Sequence, residues 1–117
     1  MLTKNLFSGT FMDMLDSKDP LIVLGDSFPW SKVEDELGQY YSGIGRPPKP
    51  IRLMVGLLLL KQLENLSDEN VVLQFKRNPY YQYFYGYDEY QPALPCHPTE
   101  LVKFRNRIGK EGFEYIF

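Results

Sequence analysis

From Ile51 to Leu63 the chain reads I-R-L-M-V-G-L-L-L-L-K-Q-L, and apolar residues fall on nearly every side of a helical wheel. A helix with no water-facing stripe belongs at the centre of a fold, packed on several faces. Pro47, Pro48 and Pro50 bar any helix before it, and the last of them suits a first helical position, where a missing N–H costs nothing. Leu66 and Ser67 interrupt the pattern. Ser67 is a good N-cap for a second helix from Asp68, whose positive end favours the two acids Asp68 and Glu69. Two helices joined by so short a turn form the skeleton of a helix-turn-helix.

A second clear period runs from Pro98 to Gly109. Leu101, Phe104 and Ile108 share one narrow sector of the wheel, and Lys103, Arg107 and Lys110 lie opposite. Glu100, three residues after His97, takes the place of a capping-box acid, although histidine is a weak cap. Shorter helices are punctuated by local signals. Asp19-Pro20 reads as cap and first position of a helix ending at Gly25, and Ser31 with Glu34 reads as a capping box for a helix to about Gln39. Asn78-Pro79 opens a short aromatic helix that Gly86 closes. Tyr40 to Pro50, with two Gly and three Pro, is a connection and the best internal boundary, and Tyr87 to Cys96 is a loop. In the first eighteen residues Phe7, Phe11, Met12, Met14 and Leu15 fit either a short amphipathic helix or a docking arm. No segment reads as a strand. The expectation is an all-α domain of five or six helices with a helix-turn-helix-like centre, arranged as an N-terminal helical segment (1–45) and a helix-turn-helix-like region (46–117).

The composition fits such a domain: 117 residues, 44% hydrophobic and 24% charged, are enough for one globular core. A single cysteine, Cys96, rules out an internal disulfide and agrees with a reducing compartment, so the cytoplasm is the expected location. No N-terminal stretch has the form of a signal peptide, and the longest apolar run, Leu53 to Leu60, is too short to span a bilayer. No membrane partner is expected.

Charge changes the picture more. A net charge of −2 argues against a generic nucleic-acid binder, yet residues 1–45 carry −4 and residues 46–87 carry +3. Residues 88–100 return to −3, and residues 101–117 carry +2. Phosphate contacts need a local patch rather than a global excess. Arg46, Lys49 and Arg52 flank the prolines and suit an arm along a phosphate backbone or in a minor groove, or else a solvated stiff linker. Lys103, Arg105, Asn106, Arg107 and Lys110 lie on the last helix. Arg reads guanine and Asn reads adenine by paired hydrogen bonds, so Arg105, Asn106 and Arg107 are the side chains capable of base readout. A plain solvated face explains the same row of charges, and Arg105, near the apolar edge, also suits a bond to a neighbouring helix. Lys76 and Arg77 are accounted for by the negative end of their helix.

Other chemistry finds little support. Tyr80, Tyr81, Tyr83, Phe84, Tyr85, Tyr87 and Tyr90 invite base stacking or a nucleophilic tyrosine, but aromatic packing with hydroxyls at the surface is the simpler reading. Cys96 and His97 have no companion ligands at zinc spacing, and the acids sit at predicted helix starts. No catalytic residue, metal, cofactor or small-molecule substrate is expected.

Three stretches also carry a resemblance: Arg46 to Val72, N-P-Y-Y-Q-Y-F-Y-G (Asn78 to Gly86) and L-P-C-H-P-T-E-L-V-K-F-R-N-R-I-G (Leu94 to Gly109). In order and spacing they resemble the InsH-type N-terminal domain of insertion-sequence transposases of the DDE class, from about Trp30 to the end. His97 stands where that family more usually has aspartate. The resemblance implies a helical region that binds double-stranded DNA at the element's terminal inverted repeats, with pairing of two ends by a homodimer. It also implies a separate catalytic domain with three metal-binding carboxylates, none of which maps onto this chain. The expectation is therefore a non-catalytic fragment, a truncated frame or a subunit completed elsewhere. The competing expectation is a self-association module, or an inert transposase remnant without DNA binding.

Overall fold

In the computed structural model, residues 12–43 and 49–117 are described; Phe7, Phe11, Arg46, Pro47 and Pro48 lie outside them. Six α-helices and no strand occur among the described residues: α1 (Pro20–Ser27), α2 (Trp30–Gly38), α3 (Ile51–Leu63), α4 (Asp68–Arg77), α5 (Pro79–Phe84) and α6 (Pro98–Ile116). Single 3₁₀ turns at Met12–Met14 and Gln39–Tyr41 complete the list. The all-α expectation holds.

The helix starts follow side-chain chemistry. Asp19 accepts from the Leu21 N–H, Ser67 from Asn70 and Asn78 from Tyr80, so each satisfies an orphan donor of the first turn. His97 does the same for Thr99 through Nδ1, while Glu100 accepts from the His97 N–H at 2.9 Å and completes a capping box. Pro50 stands one place earlier than expected. Its ψ of 135° makes it the N-cap, and its carbonyl accepts from Met54 at 3.2 Å.

Two expected boundaries need correction. Ser31 caps nothing: α2 begins at Trp30 with Pro29 as its N-cap, because the indole N–H donates to the Gly25 carbonyl at 2.8 Å and draws Trp30 into the core. Gly25 does not end α1, which runs on to Ser27. Buried at the contact between α1 and α5, it places its Cα face against the Phe84 ring, where an added Cβ would lie 3.4 Å away.

Helix α3 is the hub. Nine of its residues, Ile51 and Leu53 through Leu60, are buried, and it packs against α2, α4 and α6. At Gly56 the side chain of Tyr85, the residue just after α5, comes so close that a Cβ would lie 2.5 Å from its ring. The chain leaves α3 through Asn65 in the left-handed region (φ 55°), a conformation asparagine tolerates better than most residues. Lys61 spans that turn by donating to the Leu66 carbonyl at 3.2 Å.

One core joins both halves of the chain. Trp30, Val33, Leu37 and Tyr41 from the N-terminal segment cluster with α3, with Val71, Val72 and Phe75 of α4, and with Leu101, Phe104, Ile108 and Ile116 of α6. The aromatic run of α5 packs inward: Tyr81, Phe84 and Tyr85 are buried, and Phe75 stacks on Tyr85 and meets Tyr87 edge-on. Gln82 is fully buried among them. Its amide donates to the Phe75 and Gln91 carbonyls and accepts from the Gln91 N–H, which ties the end of α4 to the loop before α6.

Candidate nucleic-acid interface

Helix α6 is built as the wheel suggested up to Gly109. Leu101, Phe104 and Ile108 are at most 3% exposed, whereas Lys103, Asn106 and Arg107 face solvent. Gly109, at φ 63° and ψ −167°, then breaks the helix, a conformation that favours glycine. The helix resumes to Ile116, so Lys110 is exposed beyond a break and does not simply continue the row of Lys103 and Arg107.

The basic residues divide by what they touch. Arg105 is half-buried and donates from both terminal nitrogens to Asp68 of α4, Nη1 to Oδ1 and Nη2 to Oδ2, each at 2.9 Å. Such a two-point pair fixes orientation as well as charge. Lys61 adds a longer contact to the same carboxylate at 3.8 Å. The Arg105 hydrogen bond and the neighbouring positive charges hold the Asp68 carboxyl below the usual aspartate range. Arg52 is likewise engaged: its guanidinium lies 4.5 Å from the Trp30 ring centroid and donates to the Phe84 carbonyl from Nε (3.3 Å) and Nη2 (3.1 Å). Burial draws its pKa down. Both half-buried arginines brace the fold by joining separate helices.

Arg107 is looser. It donates to the Tyr40 carbonyl at a long 3.4 Å and sits 5.3 Å from the Tyr41 ring, which itself stacks on Phe104. Together with Lys49, Met54, Glu100 and Lys103 these rings line a cavity of about 290 Å³ between the start of α3, the turn after α2 and α6. Lys49 is therefore brought to the same place as Lys103 and Arg107, which the sequence placed far apart. Arg46 lies outside the described residues.

The tyrosines find internal roles. Tyr80 accepts from the Asp16 N–H, Tyr83 donates to Asp26 at 2.6 Å and Tyr90 to the Lys76 carbonyl at 2.8 Å. Tyr81 donates to Glu64, and burial together with that carboxylate pushes its hydroxyl up to about 12. Cys96 is buried, and burial with the nearby Glu100 pushes its thiol up to about 11. Among the described residues no group of three or more His, Cys, Asp and Glu could hold a metal ion, and no helix is long and apolar enough to cross a membrane.

Comparison with known proteins fixes the family. A profile described as a transposase domain (DUF772) matches residues 9–107, which takes in every helix from α1 to the exposed face of α6. The chain belongs to this transposase domain family. A relative in Rhizobium meliloti, an uncharacterized protein called ORF8 in the nfe locus, is 38% identical over 110 residues. The match takes in 91% of this transposase-domain chain and 53% of the relative, so the chain spans about half of that protein's length. No solved structure matches significantly.

Signals for the site were unevenly visible. The exposed row on α6 follows from periodicity alone, whereas the roles of Asp68 and Tyr41 do not. Asp68 looked like an ordinary first-turn acid, and its partner lies 37 residues away.

Proposed function

We propose that this transposase domain binds double-stranded DNA through the exposed side of α6, using Lys103, Asn106 and Arg107 with Lys49 and Lys110 beside them. The DNA would be the terminal inverted repeats of an insertion sequence, as in the N-terminal domains the chain resembles. The carrying observation is the division of labour among the arginines. Arg105 ties α6 to α4 through Asp68, Leu101, Phe104 and Ile108 seat the same helix in the core, and the neighbouring Asn106 and Arg107 are left at its surface. A fixed helix presenting Asn and Arg is what base readout requires, and the lysines supply phosphate contacts. In this reading α3 and α4 form a helix-turn-helix-like scaffold, and the domain positions a catalytic unit located elsewhere rather than cutting DNA itself. A homodimer would bring two ends together.

The test is titration of the chain with an end-sequence duplex and a scrambled duplex at several salt concentrations. Binding that favours the end sequence and falls steeply with salt is expected. Absence of binding at low salt would remove the reading. It would then favour self-association through exposed apolar side chains, of which Leu63, Tyr115 and Phe117 are examples among the described residues.

A further inference from the structure

The cavity beside α6 has a mixed character that duplex binding alone does not use. Its floor is apolar and aromatic, made by Tyr41, Met54 and Phe104, each at most 6% exposed. Its cationic members, Lys49, Lys103 and Arg107, come from two separate segments. Glu100 stands at the other end of the α6 edge, seven residues before Arg107, or about 10 Å along a helix. A phosphate alone would need the cations but not the rings, and an apolar side chain would need the rings but not the cations. A group that is flat and apolar in one part, anionic in another, and carries a hydrogen-bond donor for a carboxylate satisfies all three.

We propose that this cavity receives one unstacked nucleobase of the bound DNA, with the adjoining phosphate held by Lys103, Arg107 and Lys49 and an exocyclic amino group directed to Glu100. The inference rests on the DNA-binding reading and deepens it, because Lys103 and Arg107 belong both to the outer face of α6 and to the cavity wall. At about 290 Å³ the cavity is at the small end of ligand pockets, which run from about 300 to 1,000 Å³, room for a single ring system rather than a long ligand. Unpaired bases are held elsewhere by aromatic and apolar walls with cations along the backbone, which is the combination present here. Glu100 already accepts one bond from the His97 N–H, and a carboxylate has further acceptor capacity for an amino group of adenine or cytosine. The long Arg107 bond to Tyr40 is the contact that would yield to a phosphate.

The test uses three duplexes of one end sequence that differ at a single bulged position: adenine, unsubstituted purine or an abasic residue. The whole chain carries ¹³C-methyl methionine, so that Met54, one of four methionines, reports from the cavity floor and exposed Met14 serves as a control. The adenine bulge should bind about tenfold more tightly than the abasic bulge, and only the two base-bearing duplexes should move the Met54 methyl signal. Equal affinity for adenine and abasic bulges, or a Met54 signal unmoved by either, would overturn the inference while leaving duplex binding intact. Purine bound as well as adenine would overturn the assignment of Glu100. Failure of every duplex to bind would instead remove the DNA-binding reading, and the inference with it.

Discussion

Asp68 and Arg105 hold each other across α4 and α6 through two parallel hydrogen bonds of 2.9 Å. The pair sits at the first turn of α4, so Asp68 serves the helix dipole, the Arg105 fork and the longer contact to Lys61 at once. Rotation of α6 about its axis would break both bonds together. The pair therefore adds to the buried Leu101, Phe104 and Ile108 in setting the direction of the Lys103, Asn106 and Arg107 side chains.

Replacing Asp68 by Asn should lower stability at neutral pH by about 1–2 kcal/mol, between the values for exposed and buried pairs, since the two side chains are 23% and 28% exposed. The pH dependence has a definite sign. The folded-state carboxyl is held below its ordinary value, so the pair's contribution is fully present above the unfolded aspartate pKa of about 3.9. It is lost as pH falls through the lowered folded value. Denaturant titrations of wild type and Asp68→Asn should differ at pH 7 and converge in acid; a constant difference at every pH would show that Asp68 acts only by packing.

Gly56 is the second place where one residue decides a helix contact. In a helix, Gly→Ala ordinarily gains about 1 kcal/mol from propensity. Here the new methyl would meet the Tyr85 ring at 2.5 Å and 2.8 Å, and that ring is itself buried against Phe75 and Phe84. Overpacking of this kind costs typically about 1–3 kcal/mol or more. The clash outweighs the propensity, so Gly56→Ala should lower the melting temperature; an unchanged or raised value would mean that α5 can move away freely.

The sequence made the hub and the caps legible because their causes are local. The unbroken apolar run of α3 has no other place than the core, and Asp19, Ser67 and Asn78 cap through their own side chains within three residues. Long-range causes were invisible. Trp30 starts α2, and no Ser31 capping box forms, because its indole finds a carbonyl on α1, and Gln82 in an aromatic run gives no hint that Phe75 and Gln91 will satisfy it. At the candidate site the wheel already sets Arg105 near the apolar edge and Arg107 opposite it; only the fold identifies Asp68 as the partner of Arg105 and places Arg107 at the edge of a cavity. Arg52, read as part of a basic arm, turns inward onto Trp30 for the same reason.

Cys96 offers a probe that requires no mutation. It is 7% exposed, and its thiol is pushed up to about 11 by burial first and by Glu100 second. The thiolate is the reactive species, so almost none is present at neutral pH. A disulfide reagent at pH 7.5 should label the native chain far more slowly than the denatured chain. Rapid labelling under native conditions would show that the loop before α6 opens readily.

Arg107 separates base readout from phosphate contact. Its bond to Tyr40 is long and its position over Tyr41 is solvent-exposed, so truncation should remove less than about 1 kcal/mol of stability. If the guanidinium reads a guanine, Arg107→Ala should lose about 1–3 kcal/mol of discrimination at one base pair, seen as weaker binding to the end sequence than to its single-substitution variants would predict. If it meets phosphate alone, affinity should fall on every duplex and the slope of log K against log salt should shrink by roughly one. Both titrations run on the same protein preparation, with thermal melts as the control for folding. Unchanged affinity for end and scrambled duplexes alike would take this part of α6 out of the interface, and a loss of several degrees in melting temperature would assign Arg107 to the Tyr41 contact instead.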